Sequence, residues 1–201
     1  MTKYFHRAML LVSAAALLGS VANAGVITSY TAGLAPANSL FVGQSVTTPS
    51  GGPWNQLSFN FFSDTSGGTT PSGSGTVFLL TSAYAGTPAN LSSGTTGFLA
   101  QSLAAVSGVY SFGASVTLQP GTQYFFYTDT QIQVSGSSND QYAGGTAYIS
   151  GGSSTAYSSF PADANFSLSG TVTAVPEPGT FVLLSFGLAA VCLKRYRSKV
   201  S

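Results

Sequence analysis

The sequence predicts an all-β protein, an antiparallel β-sandwich or jelly roll, flanked by an N-terminal signal peptide and a short C-terminal transmembrane helix. Three observations carry this reading. Between residues 25 and 174, short β-branched and aromatic runs recur at roughly 8 to 12 residue intervals, the spacing of sandwich strands. Clusters of Gly, Ser, Thr, Asn and Asp separate them at 63–75, 92–97, 135–139 and 150–155. Gly reaches positive φ without steric cost, and Ser, Asp and Asn side chains bond nearby backbone, so these clusters read as turns. No long stretch of this region repeats its apolar residues at the helical period.

The first 24 residues place Lys3 and Arg7 before an apolar run, 8–18, and end in Ala22-Asn23-Ala24. That order of basic, apolar and small-residue segments is a secretory signal peptide, with cleavage expected between Ala24 and Gly25. The apolar run is too short for a comfortable membrane span. A lipidated terminus needs Cys at the cleavage position, where Gly25 stands. Export through the Sec translocon follows.

Residues 25–174 suit one domain able to bury its own core. The only cysteine, Cys192, lies outside it, so this body forms no disulfide of its own. Period-two alternation marks its strands. Phe166, Leu168, Gly170, Val172 and Ala174 interleave with Ser167, Ser169, Thr171 and Thr173, giving one apolar and one polar face. Leu57, Phe59 and Phe61 alternate with Ser58 and Asn60, and Val116 and Leu118 with Ser115 and Thr117. Further candidate strands are 40–46, 76–84, 98–103, 109–112, 123–128, 131–134 and 142–149.

Charge separates the body from its ends. Lys3 and Arg7 sit at the front, Lys194, Arg195, Arg197 and Lys199 at the back, and the chain has no other Lys or Arg. The body carries Asp64, Asp129, Asp140 and Asp163 and no cation, a formal charge of minus four. Without cations it cannot neutralise phosphates, which excludes nucleic acid as a partner.

The same inventory limits chemistry. The sole histidine, His6, leaves with the signal peptide, so the body lacks His, Cys, Lys, Arg and Glu. Ser-His-Asp, Cys-His and Ser-Lys nucleophile systems are impossible there, as are zinc and copper sites built on imidazole or thiolate. No cofactor is expected. Asp64-Thr65 and Asp129-Thr130 invite comparison with an aspartic-protease dyad, but Ser66 and Gln131 stand where that motif needs Gly. A two-Asp glycosidase is conceivable. No spacing selects a pair, and the expected role of these residues is capping turns at strand ends. Trp54 and the tyrosines are candidates to stack on sugar faces in a carbohydrate-binding module, against the commoner role of such rings in cores and cross-strand pairs. A non-enzymatic protein is the expectation.

The C-terminal segment, 175–201, has three parts. Pro176 and Pro178 bracket Glu177; neither proline offers a backbone donor and both fix φ, so the triplet is extended and accessible to a processing enzyme. The apolar run 180–193 follows, about 21 Å long as a helix, shorter than the roughly 30 Å hydrocarbon core. Lys194, Arg195, Arg197 and Lys199 then hold the tail cytoplasmic by the positive-inside rule.

Val175-Pro176-Glu177-Pro178, an apolar helix containing Gly187-Leu188 and a terminal Arg/Lys cluster resemble the PEP-CTERM sorting signal of Gram-negative bacteria. The resemblance implies a precursor held transiently in the inner membrane. It further implies processing at or near the motif by an exosortase-type membrane cysteine peptidase, then delivery to the envelope, cell surface or extracellular matrix. Such proteins associate with extracellular polysaccharide, biofilm or floc. The body, through Gly43-Gln44-Ser45-Val46 with Trp54, Gly108-Val109-Tyr110-Ser111-Phe112 and 118–127, is similar to choice-of-anchor β-sandwich surface domains, with Phe125 where those have Trp.

Overall fold

Alternation becomes architecture most plainly in two strands, Trp54–Phe61 and Phe166–Val172. They pair antiparallel, Phe61 opposite Phe166 and Phe59 opposite Leu168, so their apolar residues share one face. The computed structural model describes residues 24–64 and 68–173. Among them are eleven strands: β1 (Ala24–Tyr30), β2 (Ala35–Thr47), β3 (Trp54–Phe61), β4 (Val77–Leu80), β5 (Phe98–Gln101), β6 (Val109–Ser111), β7 (Gln123–Thr128), β8 (Ile132–Gly136), β9 (Ala147–Ser150), β10 (Ser158–Phe160) and β11 (Phe166–Val172), with one 3-10 turn at Pro88–Asn90.

Every pairing is antiparallel. A four-stranded sheet runs β1-β11-β3-β6. A seven-stranded sheet runs β10-β9-β2-β7-β4-β5, with β8 paired to the first half of β2. The all-β sandwich is therefore the fold the sequence predicted. Leu57, Phe59, Phe61, Phe166 and Leu168 of the small sheet share one core with Val42, Val46, Val77, Leu79 and Phe126 of the large one. Phe59 stacks on Phe126 across the interface, centroids 4.2 Å apart, and meets Phe61 edge-on at 4.9 Å. Such ring pairs add about 0.5–1.5 kcal/mol each beyond the area they bury.

The one-polar-face pattern of the alternating runs does not extend to the large sheet. All four residues of β4 and five of six in β7 are buried. Their outward residues Phe78, Leu80, Phe125 and Tyr127 form a second cluster with Phe41 of β2 and with Leu91 and Tyr157. Segments 81–97 and 151–157 cover it, tied together where Tyr157 N–H donates to Gly86 O and Ala89 N–H to Ser153 O. Buried on both faces, these strands read as continuous apolar runs. Gly43 is the floor of this layer. A Cβ there would lie 2.4 Å from Tyr127 Cδ1, because the Tyr127 and Tyr148 rings close over it, centroids 5.4 Å apart.

Other expectations shift. Run 76–84 leaves strand geometry after Leu80, run 142–149 is a strand only from Ala147, and 115–118 contributes a single bridge, Leu118 to Trp54. Strands β1 and β10, both at sheet edges, were not predicted.

A buried polar network joins the sheets beside the core. Asp163, 1% exposed, accepts the N–H groups of Gln141 and Tyr142 on Oδ2, both at 2.7 Å, and Gln44 Nε2 on Oδ1 at 3.3 Å. Gln44 Oε1 accepts Ala164 N–H at 2.9 Å. Asn165, fully buried, exchanges bonds with Gly33, accepting its N–H at 3.0 Å and donating to its carbonyl at 2.9 Å. Gly33 lies so close to Gly136 that a Cβ would sit 2.1 Å from the Gly136 carbonyl carbon. Among the described residues no cation pairs with Asp163; backbone and amide N–H groups solvate it.

Candidate functional site

Two junctions lie at one end of the small sheet. Ala24 and Gly25, the expected signal-peptide cleavage pair, open β1 and are exposed, Ala24 opposite Thr171 and Gly25 opposite Gly170 on β11. The end of β11 is fastened there too. Val172 pairs with Trp54, and Thr173 donates to Pro53 O from its N–H at 2.8 Å and from Oγ1 at 2.7 Å. The last described strand thus runs between β1 and β3 and ends beside the place where β1 begins. Ala22, Val175, Pro176, Glu177, Pro178, the apolar run 180–193 and Lys194, Arg195, Arg197 and Lys199 lie outside the described residues. Among the described residues no helix is long and apolar enough to cross a membrane.

Trp54, expected to offer a ring to sugars, is 5% exposed and packed in the core. Strand β3 starts at Trp54 with its first side chain turned inward, so the ring has no face free for stacking; that expectation is corrected.

The carboxylates serve backbone. Hydrogen bonds from the Thr70 side chain and N–H hold Asp64 below the usual carboxylate value. Asp129 accepts Thr76 N–H at 2.8 Å and Thr76 Oγ1 at 2.6 Å, fixing the entry to β4. Asp163 organises the buried network and Asp140 is exposed. Among the described residues no group of three or more His, Cys, Asp or Glu could hold a metal ion.

One open cleft, about 440 Å³, lies in the covering segment and is lined by Ala83, Tyr84, Asn90, Ser92, Thr95 and Thr96 with neighbouring small residues. The Tyr84 ring is held from three sides. Its hydroxyl donates to Thr87 O at 2.9 Å, its N–H donates to Tyr127 Oη at 3.0 Å, and it meets the Tyr127 and Tyr157 rings at 5.8 and 6.1 Å. The cleft presents a fixed aromatic ring, an amide and hydroxyls, and no charge. Sequence reasoning pointed at tyrosines collectively; which one faces solvent depends on how 81–97 folds over the sheet.

The described residues form a charge-poor antiparallel sandwich whose last strand, β11, ends three residues before Val175-Pro176-Glu177-Pro178 in the sequence. Residues 174–197 match the PEP-CTERM protein-sorting motif, and the chain carries that motif. The match covers Val175 to Pro178 and the basic residues Lys194, Arg195 and Arg197, and supports an exported protein sorted by an exosortase. No curated protein and no solved structure gives a significant match to the chain.

Proposed function

We propose that this is a non-enzymatic surface or extracellular-matrix protein. Its C-terminal segment holds the precursor in the inner membrane, an exosortase cuts at or near Pro176-Glu177-Pro178, and the β-sandwich passes to the cell surface or to extracellular polysaccharide and biofilm. The motif match at 174–197 is the observation that carries this reading. The inventory of the body supports the non-enzymatic part, since four Asp are its only ionisable side chains besides tyrosine and three of them solvate loops. Intact-mass measurement tests it. The protein is expected to lack Ser201 and the basic terminus in cells containing the exosortase, and to accumulate with them in cells lacking it. Full-length protein in both backgrounds overturns the reading.

The cleft at Tyr84 favours a second reading, in which the body is a carbohydrate-binding module for a neutral extracellular polysaccharide. A preorganised ring flanked by amide and hydroxyl groups matches the apolar faces and hydroxyl edges of a sugar. Removing the ring in Tyr84→Ala is expected to weaken glycan binding about fivefold, a loss of about 1 kcal/mol of stacking. Asn90→Ala should weaken it further, and the buried Trp54 should be protected from glycan quenching. Equal binding by Tyr84→Ala and the unaltered protein in a polysaccharide pull-down removes this cleft as the site.

A further inference from the structure

We propose that the end of the sandwich where both junctions meet is a docking face for the membrane peptidase that processes the sorting motif. This inference rests on the sorting reading. Thr173 is fastened to Pro53 by two hydrogen bonds, and only Ala174 and Val175 separate it from Pro176. An extended chain advances at most about 3.6 Å per residue, which keeps Pro176 within about 11 Å of Thr173. A peptidase grips its substrate as an extended strand. An enzyme seated on Pro176-Glu177-Pro178 therefore meets the folded body within a few residues of the triplet, unless β11 unravels.

Unravelling is costly because β11 is an interior strand, hydrogen-bonded to β1 on one side and β3 on the other. Fraying from the C-terminal end first breaks both Thr173 bonds to Pro53 and the pairing of Val172 with Trp54, and going further opens the pairings of Thr171 with Ala24 and Asn55. Contact with the intact end is the cheaper alternative.

The composition of that end fits such contact. It comprises the start of β1, the end of β11 and the turns 48–53 and 118–122, joined where Gly121 N–H meets Thr48 O and where Trp54 and Leu118 exchange backbone bonds. None of these residues is charged. Val26 and Val172 are 66% and 44% exposed. Three carboxylates stand at the other ends of their strands: Asp64 follows β3, Asp129 follows β7 and Asp163 precedes β11, with Asp140 next to Gln141, which bonds Asp163. An uncharged, partly apolar face loses little hydration when a partner covers it, whereas a charge buried there without a partner is costly.

The experiment follows processing of the full-length chain by pulse-chase in cells containing the peptidase. Val26→Glu combined with Val172→Glu changes two exposed side chains, and thermal unfolding of the exported body confirms that the fold is kept. Conversion of precursor to mature protein is expected to slow about tenfold. A flexible Gly/Ser insert of about ten residues between Thr173 and Ala174 separates face from motif. With it, the charged and uncharged chains should be processed at the same rate. Processing of the charged chain at the unaltered rate overturns the proposal. So does a slowing that the insert does not relieve, which would place the effect in export or bilayer contact. If the unaltered chain is never shortened, the sorting reading itself fails; a precursor that accumulates only on Glu177→Ala shows that reading intact while the docking face is judged separately.

Discussion

Above pH 10 the body is expected to lose stability steeply and unfold cooperatively. Burial pushes the Tyr110 phenol up to about 12 and raises Tyr127 and Tyr157 in the same direction. All three are at most 3% exposed, and the body has no Lys or Arg to pair with a phenolate. Two of the hydroxyls donate to backbone, Tyr110 to Ser74 O and Tyr157 to Thr128 O, and ionisation removes the proton that makes each bond. Between the unfolded value near 10 and the raised folded value, the native state binds more protons than the unfolded chain, so stability falls as pH rises. It is complete below pH 10. Each such tyrosine contributes a slope of about 1.4 kcal/mol per pH unit. Tyr110 alone accounts for roughly 3 kcal/mol between pH 10 and 12, and three together rival the total stability of a typical domain, about 5–15 kcal/mol. Phenolate absorbance and circular dichroism should change together. Smooth titration of all tyrosines near pH 10 with the sheets intact would falsify this account.

Asp163→Ala is expected to destabilise the body by about 3–5 kcal/mol, because it leaves the N–H groups of Gln141 and Tyr142 and one N–H of Gln44 without their acceptor in a buried site. Asp163→Asn should cost less, about 1–3 kcal/mol. Its amide oxygen can still face Gln141 and Tyr142, but its NH2 then opposes Gln44 Nε2, donor against donor. Urea unfolding with an unchanged slope measures both losses. A neutral Ala variant would show that water reaches these N–H groups and that the network contributes little.

Of the three alternating runs, 57–61 and 166–174 lie close to β3 and β11, whereas 115–118 contributes only the bridge from Leu118 to Trp54. The edge strands β1 and β10 were not legible, because Ala-Gly-Val-Ile-Thr-Ser-Tyr and Ser-Ser-Phe are largely exposed and their pairing depends on a neighbour's free edge rather than on a buried face. The continuous apolar runs of β4 and β7 were legible as strands but not as strands buried twice over, since the cover comes from 81–97 and 151–157. The sequence left Trp54 open between a sugar-stacking ring and a core ring, and the bridge to Leu118 and the pairing with Val172 place it inside.

By itself the sequence determined the charge inventory and the terminal sorting motif. Both are properties of composition or of a local run of residues, and neither needs distant residues brought together. Tertiary structure alone decided that Asp163 is solvated by Gln44, Gln141 and Tyr142, that Tyr84 rather than Trp54 faces a cleft, and that β11 closes between β1 and β3 so that both junctions share one end. Those are long-range contacts, and strand order and register, not residue type, select which of many similar Ser, Thr and Tyr side chains meet.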